Sequence, residues 1–348
     1  YRLARFAGPP LATVDMAEGA DLPFGLASAV GPVPFASADD AVAFALRRPR
    51  YPTVPVTSDP SASLWAQAVS GLDDGIGADA AGTDLSGPAF AAARAFVDAL
   101  AHLDVASVPV AIRVPVLGPV TVASELRRLG RPVEDADRIA VEVVSARAVA
   151  LLGLIRSAGA VSASASAPVV SVVLEEPALV GSMHPTFPRR PAEIRSLLDP
   201  VVDALDRAAP PRSLLIGVHV AGPCDWPSVI GSGASLLCVP VDRTVSGWAP
   251  LFGDLLDRGG RICWGVVPVD RPLGRSTDRY WRRLVALWTA LVAEGVDPMA
   301  LRLRSSFSPA DGLDAFGSSQ AELVMELTAE VAERVSHQAV AARLSLGA

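Results

Sequence analysis

The chain has 348 residues, of which 51% are hydrophobic and 19% are charged, and its formal net charge is −7. This composition is typical of a folded protein with a large core and excludes general disorder. An acidic balance without any basic stripe argues against nucleic acids and anionic membranes as partners. Because the sequence contains no lysine, Schiff-base chemistry and a Walker-type phosphate loop are excluded.

The cysteines and the hydropathy pattern lead to expectations about the cellular compartment. Cys224, Cys238 and Cys263 are too few and too widely spaced for a disulfide framework. Reduced thiols and a cytoplasmic location are therefore the simplest expectation. No uncharged apolar run reaches the roughly 18 residues of a membrane span, and the first residues lack the apolar core of a signal peptide.

Short apolar strands and amphipathic helices alternate along the chain after an N-terminal arm over residues 1–22. The predicted strands are Phe24–Pro34, Tyr51–Val56, Val108–Val116, Val169–Leu174, Leu214–Val220, Ser235–Val239, Arg261–Val267 and Leu301–Ser306. The predicted helices are Ser37–Arg48, Ser63–Val69, Pro88–Leu103, Glu134–Ser157, Arg190–Ala208, Trp248–Arg258, Ser276–Glu294 and Ser319–Val335. Ser37 and Ser276 are predicted N-caps. Residues 57–87 are predicted to form a long loop.

This alternation predicts an α/β protein with a parallel sheet that is buried on both faces. About eight strand–helix units favour a (β/α)8 TIM barrel, a single domain over residues 23–348. An open doubly wound sheet is the alternative. It is weakened because no glycine-rich dinucleotide fingerprint follows an early strand.

Polar residues follow several predicted strands at the point where each strand ends. They are Glu175, Glu176, His219, Asp242 and Asp311. In a barrel, these strand ends converge on one mouth, where chemistry takes place. Adjacent residues of a strand point to opposite faces, so at most one of the two glutamates enters the barrel interior.

Five motifs occur in an order that resembles a known family. They are the G-x-x-P turn Gly31–Pro34, LGPVT at Leu117–Thr121, EEPAL at Glu175–Leu179, the strand-end His219, and PADGL at Pro309–Leu313. From Phe24 to the C-terminus, the chain resembles the C-terminal catalytic barrel of cobalamin-independent methionine synthase, within the uroporphyrinogen decarboxylase-like superfamily. The resemblance implies methyl transfer from methyltetrahydrofolate to the thiol of homocysteine, in methionine biosynthesis. In that family a zinc ion supplies the thiolate and a histidine acts as general acid.

The metal ligands that the resemblance implies are only partly present. His219 matches the family's zinc histidine, whereas Ala221 occupies the position of the first zinc cysteine, with Cys224 as a candidate replacement. Asp242 lies near the expected carboxylate and Asp311 stands where the last cysteine belongs, while Cys238, like Cys224, could restore sulfur ligation. His219, Cys224, Asp242 and Asp311 are therefore the predicted metal ligands, for zinc or for a harder metal, and a pocket without metal is the alternative.

The resemblance also implies catalytic and substrate-binding residues. Glu175 matches the acidic residue that holds the homocysteine amino group, and Asp270 is the nearest titratable residue to the missing general-acid histidine. The predicted substrate-binding residues are Gly31, Thr121, Glu175 and Trp226. Trp226 would stack a pterin or, alternatively, pack in the core.

Three functions stay open from the sequence. The first is methyl transfer to a thiol such as homocysteine, with a folate as donor and altered metal ligands. The second is decarboxylation or another alkyl transfer without zinc. The third is ligand binding without catalysis, in which His219 and Asp311 have purely structural roles.

Overall fold

A computed structural model describes residues 22–72, 78–104, 107–158, 167–210 and 212–345. Six parallel strands form one sheet in sequential order. The strands are β1 (Ala111–Leu117), β2 (Val169–Glu175), β3 (Leu214–His219), β4 (Leu236–Pro240), β5 (Arg261–Val267) and β6 (Ser305–Pro309). Apart from residue 22, the predicted N-terminal arm lies outside the described residues.

Helices connect these strands and cover the outer face of the sheet. They are α1 (Ala38–Leu46), α2 (Leu64–Val69), α3 (Ala78–Thr83), α4 (Ala91–Ala101), α5 (Pro119–Arg128), α6 (Val133–Arg156), α7 (Pro191–Ala208), α8 (Trp226–Ile230), α9 (Ala249–Asp257), α10 (Asp278–Ala293), α11 (Pro298–Leu303) and α12 (Ser318–Ser345). In the described ranges, no helix combines the length and the apolar character that crossing a membrane requires.

Local capping chemistry sets several helix ends. The Ser37 hydroxyl accepts a hydrogen bond from the backbone N–H of Asp40, as predicted for an N-cap. At α10, however, the cap position is Thr277 and the helix begins at Asp278, so the prediction that Ser276 is the cap was one residue early. The prediction of a strand from Leu301 was wrong, because Asp297 caps a short helix there and β6 begins only at Ser305.

The sheet is strongly curved. In a flat sheet, β1 and β5 would lie about 19 Å apart, since neighbouring strands are about 4.8 Å apart. Yet Arg113 of β1 donates a hydrogen bond to the Cys263 sulfur of β5 over 3.6 Å. The inner face is therefore concave, and its buried side chains form a cluster separate from the core between the sheet and the helices.

Two of the eight predicted strands are reduced to single bridges at the edges of this sheet. Ala27 pairs with Phe307 of β6, and Thr53 pairs with Arg113 of β1. Proline lacks the N–H that a ladder needs, and Pro52 flanks the second bridge. The described structure is thus an α/β fold with a six-stranded parallel sheet, in place of the predicted closed sheet of eight strands.

Candidate functional site

A buried acid–histidine pair lies at the carboxyl ends of β2 and β3. Glu175 and His219 are register partners in the parallel ladder, so both side chains point to the same inner face. The Nδ1 of His219 is hydrogen bonded to Oε2 of Glu175, and Nε2 lies 3.2 Å from the backbone oxygen of Ala310. A carbonyl oxygen only accepts, so Nε2 carries a proton, and the carboxylate favours a second proton on Nδ1.

Charge explains why this histidine is cationic. Burial lowers the pKa of His219, but the adjacent Glu175 carboxylate outweighs it and raises that pKa above its usual value. Burial raises the pKa of Glu175, yet His219 and Arg113 together lower that pKa below its ordinary value. The pair is therefore an imidazolium against a carboxylate, at a site where both residues are 5% exposed.

Arg113 enters the same cluster from the middle of β1. Its side chain is fully buried, and one terminal nitrogen, Nη2, lies 3.5 Å from Oε1 of Glu175. Its hydrogen bonds reach the sulfurs of Cys238 on β4 and Cys263 on β5, at 3.5 Å and 3.6 Å. Five neighbouring strands thus contribute polar side chains to one interior.

Glu176 points the opposite way and caps α5. Its carboxylate accepts hydrogen bonds from the N–H groups of Val120 and Thr121, both at 2.8 Å, and from the Thr121 hydroxyl at 2.6 Å. A Cβ at Gly118 would lie 2.3 Å from this carboxyl group. Burial raises the pKa of Glu176 to about 7. The LGPVT and EEPAL motifs are therefore in direct contact, and Thr121, predicted to bind substrate, is engaged by Glu176.

The turn after β6 covers the buried pair. The Ala310 oxygen contacts His219, and the Ala310 N–H donates a hydrogen bond to the oxygen of Val267 at 2.9 Å. Gly31, predicted to bind substrate, has φ +59 and lies so close to this turn that a Cβ there would be 3.0 Å from Cα of Gly312. The G-x-x-P and PADGL turns thus pack together, which requires glycine at the point of contact.

The other predicted metal ligands do not surround His219. The Cys224 sulfur accepts from the Ser182 hydroxyl at 3.6 Å, in the core on the helix side. Asp242 accepts from the N–H and hydroxyl of Thr244, in the loop that follows β4. Asp311 is exposed, and its charge contributes to raising the pKa of His219.

As arranged, this donor set does not fit a tetrahedral zinc ion. Both ring nitrogens of His219 already have protein partners. Among the residues that the structure describes, no three His, Cys, Asp or Glu side chains are close enough to hold a metal. Zinc binding stays a prediction.

The remaining predicted residues lie away from the acid–histidine pair. Asp270 is exposed and forms an ion pair with Arg271 at 2.8 Å. Trp226 is 2% exposed and packs against Phe252 with ring centroids 6.1 Å apart, so its described contacts are those of a core residue.

Sequence reasoning missed the inner residues Arg113, Cys263 and Tyr51. The Tyr51 hydroxyl lies 2.7 Å from the Ser171 hydroxyl, and burial raises the pKa of Tyr51 above its ordinary value. A signal for Arg113 was present, because a charged residue interrupts the apolar strand AIRVPVL. Buried arginine is rare without partners, so this position indicated a charged interior.

Comparisons with known proteins give little beyond this geometry. No model of a known protein family matches the chain, and no curated protein matches it. Thirty-two chains of solved structures match, among them a B12-independent methionine synthase from Shewanella sp. W3-18-1 in complex with selenomethionine. That match has 13% identity and a TM-score of 0.39, and it covers 66% of this chain and 63% of the synthase. The likeness is distant, and neither fold nor activity follows from it.

Proposed function

We propose that this protein is a methyltransferase-like barrel that transfers a methyl group to a small thiol such as homocysteine, with His219 as general acid. The observation that carries the proposal is the buried Glu175–His219 pair at the ends of β2 and β3. The motif order supports it, because these residues stand where the resembling family places its substrate and metal contacts.

The chemistry follows from the charge of the pair. A thiol bound next to a cationic imidazolium ionises more readily and releases its proton to solvent, since a neighbouring positive charge favours the thiolate. The thiolate sulfur forms a bond to the methyl carbon while the bond from that carbon to the donor nitrogen breaks. The nitrogen keeps the electron pair and takes the Nε2 proton of His219, which leaves its hydrogen bond to the Ala310 oxygen, and the histidine is reprotonated from solvent.

Glu175 and Arg113 have supporting parts in this proposal. Glu175 orients the imidazole and stabilises its charge, as its hydrogen bond to Nδ1 requires. Arg113 holds the second carboxylate oxygen at 3.5 Å and thereby fixes the carboxylate. Because the predicted zinc ligands are not gathered around His219, every step uses side chains alone.

The proposal also extends the fold to a complete (β/α)8 barrel. In support of it, the segments around Ala27 and Thr53 each pair with an outer strand. They also contact one another, since the Thr53 hydroxyl donates to the oxygen of Ala29 at 2.9 Å and Val33 donates to the oxygen of Val56 at 2.8 Å. We infer that these two segments occupy the positions of the missing strands.

A radiolabel assay tests the activity. Transfer of labelled methyl from methyltetrahydrofolate to homocysteine is expected for the native protein, and His219→Gln should lower kcat by about 10²–10⁴-fold. Since the active form is the protonated imidazole, kcat should fall as pH rises through the raised pKa of His219. His102→Gln, on an exposed helix end, is the matched control and should change nothing.

Two outcomes would contradict the proposal. One is native protein that transfers no methyl group from folate donors to any small thiol. The other is a kcat that is equally reduced by His102→Gln and His219→Gln. Asp270→Asn separates the sequence-based role of Asp270 from this proposal, because an exposed, ion-paired aspartate should not affect kcat.

A second candidate function is ligand binding without turnover. It is favoured by the position of the Ala310 backbone oxygen, which lies 3.2 Å from Nε2 of His219. With that contact in place, His219 is only 5% exposed. Calorimetric binding of homocysteine or a folate to a protein without transferase activity would support this candidate.

A further inference from the structure

Two cysteines face each other on the inner side of the sheet, apart from the acid–histidine pair. Cys238 of β4 and Cys263 of β5 are register partners, and both are 0% exposed. Both sulfurs accept hydrogen bonds from the two terminal nitrogens of one guanidinium group, that of Arg113. Cys224, the third cysteine, is buried on the other side of the sheet, and the hydrogen bond described for its sulfur comes from the Ser182 hydroxyl.

The charge of Arg113 makes this arrangement unusual. A guanidinium group keeps its proton in proteins, so this fully buried side chain is a cation that needs a counter-charge. Glu175 does not balance it alone, because its single negative charge is shared between Arg113, 3.5 Å from Oε1, and the His219 imidazolium at Oε2. The hydrogen bonds described for the guanidinium group end on sulfur instead.

The groups that face the two thiols leave the sulfurs as the site of the balancing charge. Tyr51 is neutral, since burial raises its pKa, and Ser306 and Ser308 of β6 bring only hydroxyls. Both terminal nitrogens of Arg113 point at the two sulfurs, so negative charge on the sulfurs would lie directly against the guanidinium group.

We propose that Cys238 and Cys263 form a two-coordinate site for one soft monovalent d10 cation of the Cu(I) or Ag(I) class, with Arg113 as its counter-charge. Thiolate sulfur is the ligand that such ions prefer. Both sulfurs bind as thiolates, so on binding their S–H bonds break, the protons go to solvent, and the cation takes their place between the sulfurs. Two thiolates and one monovalent cation carry a charge of −1, which balances the +1 of Arg113.

The same charge balance disfavours zinc at this position. A structural zinc ion takes four ligands, and the described residues offer no third His, Cys, Asp or Glu beside the two sulfurs. A divalent ion between two thiolates would also leave the charge of Arg113 unbalanced. N–H donors to the sulfurs, such as those of Arg113, are the usual outer partners of metal-bound thiolates.

The test is an anaerobic titration of the reduced 348-residue chain with Cu(I), in competition with a chromogenic Cu(I) chelator. One tightly bound ion per chain is expected for the native protein and for Cys224→Ser. Cys238→Ser and Cys263→Ser should abolish this binding, and Arg113→Lys should weaken it by about 10–100-fold. Because the site is buried, each point is read after slow equilibration.

A second measurement does not depend on the folding of the variants. After Ag(I) is added to the native protein, rapid unfolding in an alkylating reagent and mass spectrometry should find Cys238 and Cys263 protected and Cys224 modified. Equal modification of all three cysteines, or equal Cu(I) affinity in the native protein and the Cys238→Ser/Cys263→Ser double variant, would overturn the proposal.

Discussion

Glu175 and Glu176 are neighbours in the chain, yet the two faces of the sheet give them opposite chemistry. Glu175 points inward to two cations, His219 and Arg113, and its pKa is lowered. Glu176 points outward to the start of α5, where its contacts are N–H and hydroxyl groups; burial outweighs these and the charge of Arg189 and raises its pKa to about 7. Burial alone therefore does not set the charge of a side chain, because the partners on each face decide it.

The cysteines repeat this contrast. On the outer face, burial raises the pKa of Cys224 to about 12, and its sulfur behaves as a small apolar group. On the inner face, Cys238 and Cys263 lie beside one guanidinium group, whose positive charge favours a thiolate on the pair and opposes the effect of burial on the pKa of each thiol. The inner face is a charged interior inside an otherwise apolar protein, and substitutions on each face test the difference.

The largest expected effect comes from removing the inner cation. Arg113→Ala leaves Glu175 and the inner sulfurs without their shared partner and opens a cavity, so the free energy of unfolding should fall by about 3–5 kcal/mol. Urea denaturation measures this loss. Arg128→Ala is the control, since its ion pair with Glu125 is exposed and should be worth less than about 1 kcal/mol. A loss at Arg113 as small as that at Arg128 would refute the charged interior.

The second effect is a pH dependence of stability that comes from the outer face. Because the folded pKa of Glu176 is about 7 against an ordinary 4.5, the folded protein binds more protons than the unfolded chain between these values. The contribution of Glu176 to the free energy of unfolding should therefore fall by about 3 kcal/mol as pH rises through this range. Denaturation at several pH values should show that Glu176→Gln removes this slope.

Glu175 provides an internal comparison for this pH dependence of the free energy of unfolding. Its folded pKa is lowered, so its stabilising contribution is present above its ordinary pKa and is lost as pH falls below it. Glu175→Gln should therefore keep the Glu176 contribution and lower the overall stability, but should add a rise of stability with pH below about 6.5, because burial then lowers the pKa of His219. If both glutamine variants had the same pH profile, the contrast between the faces would be wrong.

The smallest effect is steric and is confined to the outer face. Gly118→Ala places a Cβ 2.3 Å from the carboxyl of Glu176, which three hydrogen bonds hold in place, so it should cost about 1–3 kcal/mol in denaturation experiments. Gly153→Ala is the matched control in α6, where a Cβ meets no atom within 4 Å. That variant should gain about 0.5–1 kcal/mol.

Much of the fold could be predicted because it depends on local patterns. Apolar runs such as Leu214–His219 identify strands, and capping residues such as Ser37 identify helix starts, from a few neighbouring residues. Errors arose where such patterns were weak. The strand predicted from Leu301 overlaps the end of α11, because a helix of 6 residues is too short to show a helical period.

The candidate site was less predictable. Glu175 and His219 were found because both end strands in a recognisable motif order, and the parallel register then makes them partners. The grouping of Cys224, Asp242 and Asp311 with them stays untested as a ligand set, and the structure gives these three side chains other nearest partners. Side chains that follow a strand within a few residues can turn to either face, which spacing alone does not reveal.

The sequence by itself determined the alternation of strands and helices, the strand-end position of Glu175 and His219, and the absence of lysine chemistry. Only the tertiary structure decided that Arg113, Cys238 and Cys263 share one interior, because curvature of the sheet brings β5 within reach of a side chain of β1. The physical reason is the separation along the sequence between the residues that interact. Periodicity and capping act over a few residues, whereas charge compensation in a buried interior joins side chains 150 positions apart.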